Sequence, residues 1–291
     1  MTTQDPEKPR LASLRPLVRY VDESQAVIDV HVRLQPPQDP AAAELDKTPI
    51  DLLIEMRGPD DTGFEYQRSL SVHDGAGMVR FVVPDPQRWW PAGMGEQWLY
   101  DLAVTLRRGG QVLDIWRTTL GLASVRTEAS PDAGAGPVLL IHGQPYRFRS
   151  VTAVNPDDES KLLPVSHQSL LVVRGHLAPR KLFEAADRAG VLIIQSLPAP
   201  ALAEDGAWRE PGDDSPDPAE SPEASPTDQA ALTPMPDLAP VDELTAHPSL
   251  AGWFVGHADA MTERIIRRIH DLDPTRSVFR QLPHGQRRGG L

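Results

Sequence analysis

The sequence predicts a multidomain chain in which an all-β part precedes an α/β part. Three observations carry this. Short runs of alternating apolar and polar residues, divided by turn signals, fill residues 14 to 125. From about Pro137 the apolar runs become continuous, and segments of helical periodicity separate them. At 291 residues, with 40% hydrophobic and 24% charged residues, the chain has the size and composition for two folded units.

In the first unit AVIDVHVRL places Val30, Val32 and Leu34 on one face, the period of a half-buried strand. DLLIEMRG, MVRFVVP and the long stretch LYDLAVTLRRGGQVLDIWRTTLGL continue the pattern. Within the last, Arg107 to Gln111 reads as a hairpin turn. Several short strands so divided predict a β-sandwich over residues 14–125, with PPQDPAAAELDKTP as a surface loop and residues 1–13 as a flexible tail.

In the second unit VLLIHGQPYRFRSV predicts a hairpin leading into a strand, and SLLVVRG a short buried strand. APRKLFEAADRAG predicts a helix with Pro179 near its first turn, Leu182, Phe183, Ala186 and Ala189 on one face, and Gly190 as its stop. VLIIQSLP then predicts another strand. A strand, helix, strand order with continuous apolar strands implies parallel pairing. HPSLAGWFVGHAD predicts a further buried strand. DAMTERIIRRIHDLDP predicts a helix with Met261, Ile265, Ile269 and Leu272 on one face, Asp259 as its N-cap and Pro274 just beyond it. SVFRQLP predicts a last strand. The expected extents are 137–203 and 246–284.

Between them, residues 204–240 are rich in Pro, Asp, Glu, Ser and Ala, a composition expected to remain disordered. Glu204 to Gln229 holds nine acids against the single base Arg209, so most of the net charge of -12 sits in one stretch. The acidity argues against a nucleic-acid partner. No run approaches the roughly eighteen apolar residues of a membrane span. The N-terminus MTTQDPEKPR has no apolar leader, so a cytoplasmic location is expected. Cysteine is absent, which removes disulfides and thiolate chemistry.

Five ordered motifs make the chain resemble glycoside hydrolase family 2, the β-galactosidases, β-mannosidases and β-glucuronidases. VPDPQRWWPAGMGEQWLYDLAVTL resembles the Pro-x-x-Trp-x-Pro…Leu-Tyr strand pair of that family's immunoglobulin-like domain, and LLIHGQPYRFRSV its "NGkP-lrG" entry to the barrel. VVRGHLAPRKLFEAADRAGVLIIQ is similar to its second strand, helix and third strand, through Arg174, Pro179, Asp187 and Gly190. HPSLAGW resembles its His-Pro-Ser-x-x-x-Trp strand, and DLDPTRSV the segment after the next helix. The resemblance implies an immunoglobulin-like β-sandwich followed by a partial TIM-type (β/α) barrel, since a complete barrel takes about 250 residues. It also implies that the family's preceding sugar-binding domain is missing.

The departures fall where the chemistry should be. The family pattern places Asn-Glu, with Glu as acid/base, where this chain has His257 and Ala258. Leu171 stands for an Asn, His142 for the Asn of "NG" and Ser150 for a Gly. Only 33 residues follow Ala258, too few for the late strand carrying the nucleophile. A retaining glycosidase needs two carboxyls about 5 Å apart. Alanine supplies none, and Asp259, engaged as an N-cap, would be a poor proton donor.

No catalytic residue is therefore expected, Ala258 being the degenerate acid/base position. The candidate binding residues are Arg174, His176, His257, Asp259 and Trp253. Asp157, Asp158 and Glu159 are a loop cluster without a positioned partner. His142, His176 and His257 lack a metal-binding spacing, so no metal or cofactor is expected. Trp89, Trp90, Trp98, Trp116 and Trp253 could stack on sugars but more often fill cores. The favoured reading is a pseudoenzyme that binds a carbohydrate or a protein, or self-associates through uncovered apolar surface and open barrel edges. Two alternatives stand beside it: a hydrolase using unusual residues or completed by a second chain, and a purely structural module.

Overall fold

The computed structural model describes residues 9–35, 49–60, 63–73, 75–129, 137–148, 150–154, 169–173, 177–197, 238, 241–255, 260–280 and 282–283. Strands β1 (Arg10–Val21), β2 (Gln25–Gln35) and β5 (Ala76–Pro84) form one antiparallel sheet in the order β1-β2-β5. Strands β3 (Ile50–Arg57), β4 (Gly63–Leu70), β6 (Leu99–Arg108) and β7 (Gln111–Gly121) form a second, in the order β4-β3-β6-β7. Alternation decides the packing. Ile28, Val30, Val32 and Phe81 of the first sheet share a core with Leu52, Ile54, Val104 and Leu106 of the second.

The turn at Gly109 and Gly110 joins β6 to β7, both glycines having positive φ, as the RRGGQ stretch predicts. Arg10 to Ser13, expected in the flexible tail, are strand residues paired with β2, and the backbone N–H of Leu11 donates to Asp114. The ladder hydrogen bonds hold them, which an apolar pattern beginning at Leu14 did not reveal.

A small antiparallel sheet follows, in the order β10-β9-β8: β8 (Val125–Glu128), β9 (Val138–Ile141) and β10 (Gln144–Pro145). Then five strands pair in parallel in sequence order: β11 (Ser150–Val154), β12 (Ser169–Val173), β13 (Leu192–Ser196), β14 (Leu250–Phe254) and β15 (Ser277–Phe279). Helix α1 (Arg180–Ala189) connects β12 to β13, and α3 (Ala260–Leu272) connects β14 to β15. Pro179 opens α1, and Gly190 closes it at φ 68°, with its N–H donating to the Ala186 carbonyl. A short helix α2 (Val241–Leu244) precedes β14.

Successive residues of the parallel strands face opposite layers. Leu171, Val173, Ile193 and Trp253 pack against Leu182 and Phe183 of α1, Val241 and Leu244 of α2, and Ile265 and Ile269 of α3. Leu170, Val172, Leu192 and Ile194 pack against Trp89, Val125, Leu139, Ile141, Tyr146 and Phe148. The uncovered apolar faces expected from two helices alone are therefore not found among the described residues. The small β8–β10 sheet and the Trp89 segment cover the side that the helices leave, while β11 and β15 remain the edges.

The boundary of the acidic segment also moves. Leu238 is buried in the helix-side core, and α2 begins at Val241, so packed chain resumes earlier than residue 246. Residues 204–237 lie outside the described residues. No helix among the described residues is long and apolar enough to cross a membrane.

Candidate functional site

The carboxyl ends of parallel strands are where α/β folds of this kind place ligands. Here those ends are Val173 on β12, Ser196 on β13, Phe254 on β14 and Phe279 on β15, set side by side by the register. Arg174, His176, His257, Ala258 and Asp259 come next in sequence after β12 and β14, and all five lie outside the described residues, as do Asp157, Asp158 and Glu159. Helix α3 begins at Ala260, directly after Asp259.

Trp253 is the one candidate binding residue that the structure describes. It has no exposed surface, and its indole N–H donates to Asp273 Oδ2 at 2.9 Å. A ring wholly inside the helix-side layer offers no face to a sugar, so Trp253 is a packing residue. Of the other tryptophans Trp89 is also fully buried, while Trp98 is 39% exposed.

The residues behind the motifs gather instead at the amino ends of the strands. Asp187, in the last turn of α1, accepts from His247 Nδ1 at 2.6 Å and from the Ser249 backbone N–H at 3.1 Å. Its own carbonyl accepts from Trp89 Nε1 at 2.8 Å. Arg276 donates to the carbonyls of Thr245, His247 and Leu250 and to the Asp273 carboxylate, stitching the chain before β14 to the turn before β15. Burial by itself would raise the pKa of Asp273. The Arg276 charge and the Thr275 and Trp253 donors outweigh it and hold the carboxyl below its ordinary value.

Asp187, His247 and Ser249 have the composition of a hydrolytic triad but not its geometry. All three are essentially inaccessible, the Ser249 hydroxyl turns to the Phe183 carbonyl, and His247 Nε2 meets no hydrogen-bond partner among the described residues. The network fixes chain entry into the strands. The sequence marked it only through the motifs DRAG, HPSLAGW and DLDPTRSV, whose polar residues look equally suited to a site.

The remaining departures have local accounts. His142 sits in the tight turn between β9 and β10 at φ 50°, beside Gly143 at φ 79°. Asn is favoured in that left-handed conformation. The His142 ring is held by a Nε2 hydrogen bond to the Trp89 carbonyl at 3.0 Å and by contact with the Trp90 ring at 4.5 Å. Burial pushes its pKa below the usual histidine value, which the Trp89 bond opposes only in part. Ser150 exchanges a hydroxyl hydrogen bond with Ser169 across β11 and β12, and Leu171 fills the helix-side core. Among the described residues no group of three His, Asp or Glu could hold a metal ion.

Comparison with known proteins bears on this frame. Residues 18–122 match the model of glycosyl hydrolases family 2. The chain is 34% identical over 122 residues to an exo-β-D-glucosaminidase of Amycolatopsis orientalis, covering 38% of this chain and 11% of that protein. It is 24% identical over 159 residues to a β-mannosidase B of Emericella nidulans, covering 46% and 18% respectively. Among solved structures, a Bifidobacterium dentium β-glucuronidase superposes with TM-score 0.61 at 15% identity, over 93% of this chain and 43% of that one. An exo-chitosanase of Amycolatopsis orientalis does so with TM-score 0.61 at 17% identity, over 93% and 32%. At such identities the superpositions speak for the fold alone. The chain spans less than a fifth of the length of these curated relatives.

Proposed function

Starting from the membership of this chain in glycosyl hydrolases family 2, we propose that it is a non-hydrolytic member, a pseudoenzyme that binds a β-linked sugar at the carboxyl ends of its parallel strands. In this reading β11 to β15 correspond to the opening strands of a (β/α) barrel, and the two antiparallel sheets to the family's immunoglobulin-like domain. The observation that carries it is Ala258. It stands five residues after Trp253, where the family pattern has its acid/base Glu, and a methyl group neither donates a proton nor attacks an anomeric carbon.

The surrounding frame supports a retained binding role. Strand β14 is paired on both sides and backed by the Trp253–Asp273–Arg276 network, so the strand that precedes Ala258 in sequence is firmly built. In this reading Asp259, the residue before α3 in sequence, serves as a helix cap rather than as a substitute acid. Arg174, His176 and His257 supply the polar contacts to the sugar.

The test pairs hydrolysis with binding. The purified chain is expected to leave p-nitrophenyl β-D-glucosaminide, β-mannoside, β-galactoside and β-glucuronide intact. It should retain one of the matching glycans on an array, more weakly after Arg174→Ala. Turnover that survives purification and disappears with Asp259→Ala overturns the proposal.

A further inference from the structure

A cleft of about 420 Å³ opens at the opposite end of the parallel strands from the sugar site proposed above. It lies where the sandwich meets the amino end of β15. Its walls come from four places: the end of β1, the chain from Gly121 to Thr127 in β8, Pro248 ahead of β14, and the turn from Pro274 to Ser277. Three arginines line it, Arg19, Arg126 and Arg276, together with the hydroxyl residues Ser124, Thr127, Thr275 and Ser277. No carboxylate residue is among the described lining residues.

The three cations are not equivalent. Arg276 is spent on three backbone carbonyls and Asp273, so it lends the cleft its charge but no free donor. Arg126 is exposed and makes no side-chain hydrogen bond or ion pair among the described residues. Arg19 is the extra residue of a β-bulge, skipped between the pairs Val18↔Ile28 and Tyr20↔Val27. A bulge re-aims a side chain out of the ladder's alternation. Among the described residues Arg19 keeps a single long ion-pair contact, 3.7 Å to Asp29, a carboxylate already bonded twice by Arg80. Across the cleft, Thr127 and Ser277 share a hydrogen bond of 2.7 Å, tying β8 to β15.

We infer that this cleft binds a tetrahedral oxyanion, the phosphate or sulfate ester of a small, sugar-sized molecule. Two guanidinium groups with unspent donors face it from different strands, with hydroxyls between them. Charge-assisted bonds from such non-coplanar donors suit a tetrahedral anion, which accepts in every direction, better than a flat carboxylate. The volume lies within the range of small-ligand sites and exceeds that of a bare ion. Bound there, the anion would bridge Arg19 of the sandwich and the chain beside β15, joining the two units.

Titration calorimetry at constant ionic strength tests this with inorganic phosphate, inorganic sulfate, glucose 6-phosphate, glucose 6-sulfate and chloride. Phosphate or sulfate should bind saturably and raise the thermal midpoint by about 3 °C at tenfold excess over Kd. The Arg19→Gln, Arg126→Gln double variant should bind about tenfold or more weakly. Both side chains are exposed, so the unliganded variant should unfold at nearly the wild-type temperature. Whichever sugar ester binds more tightly names the source of the anion. Equal binding by wild type and variant overturns the inference. So does chloride matching the oxyanions, or no saturable binding at all.

Discussion

Asp273 shows what a buried carboxylate requires. It is wholly inside, and the Arg276 guanidinium, the Thr275 hydroxyl and backbone N–H and the Trp253 indole make ionisation favourable there. Trp253→Phe keeps the ring and removes one donor, and is expected to cost about 1–3 kcal/mol in urea unfolding. The sign with pH follows from the lowered pKa. The stabilisation is fully present above the ordinary value of 3.8 and is lost as the pH falls through the lower folded value. Gly190 is constrained twice. Its φ is 68°, and a Cβ there would come within 2.5 Å of the Ala92 backbone nitrogen, which itself donates to the Gly190 carbonyl. Gly190→Ala should therefore destabilise by more than the roughly 1 kcal/mol of left-handed strain alone, read from the denaturant midpoint.

At the scale of elements, α1 buries Leu182, Phe183 and Ala186 as its periodicity predicts but leaves Ala189 exposed and buries Asp187 instead, while α3 buries Ile265, Ile269 and Leu272 as expected. The segment between β13 and β14 divides in two. Leu238 and Val241 pack into the same layer as Leu182 and Ile269, so the packed chain includes them. Replacing residues 204–237 by a short Gly-Ser linker is expected to change stability by less than about 1 kcal/mol, because closure entropy varies slowly with loop length. Leu238→Ala alone should cost about 2 kcal/mol or more through the cavity it leaves. Thermal unfolding of the two variants separates them. A linker variant that melts far below wild type would place packed residues inside the acidic stretch.

For the whole molecule, the sandwich and the parallel sheet are joined by specific contacts. Arg15 pairs with Asp242 at 2.7 Å, Arg180 donates to Thr118, and Trp89 donates to the Asp187 carbonyl. A Cβ at Gly121 would meet Pro248 at 2.2 Å, so the two units touch closely there as well. Two histidines near these junctions link stability to pH. Burial lowers the pKa of His31, helped by Arg15 and Arg19 and opposed by Asp29 and Asp242. Burial likewise lowers that of His142. Both are then neutral in the folded state where the unfolded chain still takes up protons. Their contribution is complete above the ordinary value of 6.5 and fades as pH falls through it toward the folded values. Urea midpoints measured from pH 7.5 to 5.5 should fall, and His142→Asn should flatten part of that slope.

The sequence by itself determined the elements and much of their partnering. Alternation in β2 and β6 chose the buried face of each sandwich sheet, and continuous apolar runs in β12, β13 and β14 required cover on both sides. Pro179 near the first turn and Gly190 as the stop marked the two ends of α1. The sequence also determined that Ala258 follows β14, because that depends only on counting from Trp253. Tertiary structure alone decided what the described polar motif residues, Asp187, His247, Asp273 and Arg276, do. Nothing in HPSLAGW separates a histidine that binds substrate from one that locks onto Asp187, 60 residues earlier in the chain. Long-range contacts also decided that Trp253 points into the helix layer, that Trp89 and β8 to β10 cover the second face, and that Arg19, Arg126 and Ser277 meet in one cleft. Local sequence fixes period and turn. The partner across a hundred residues is set by packing, which only the folded chain displays.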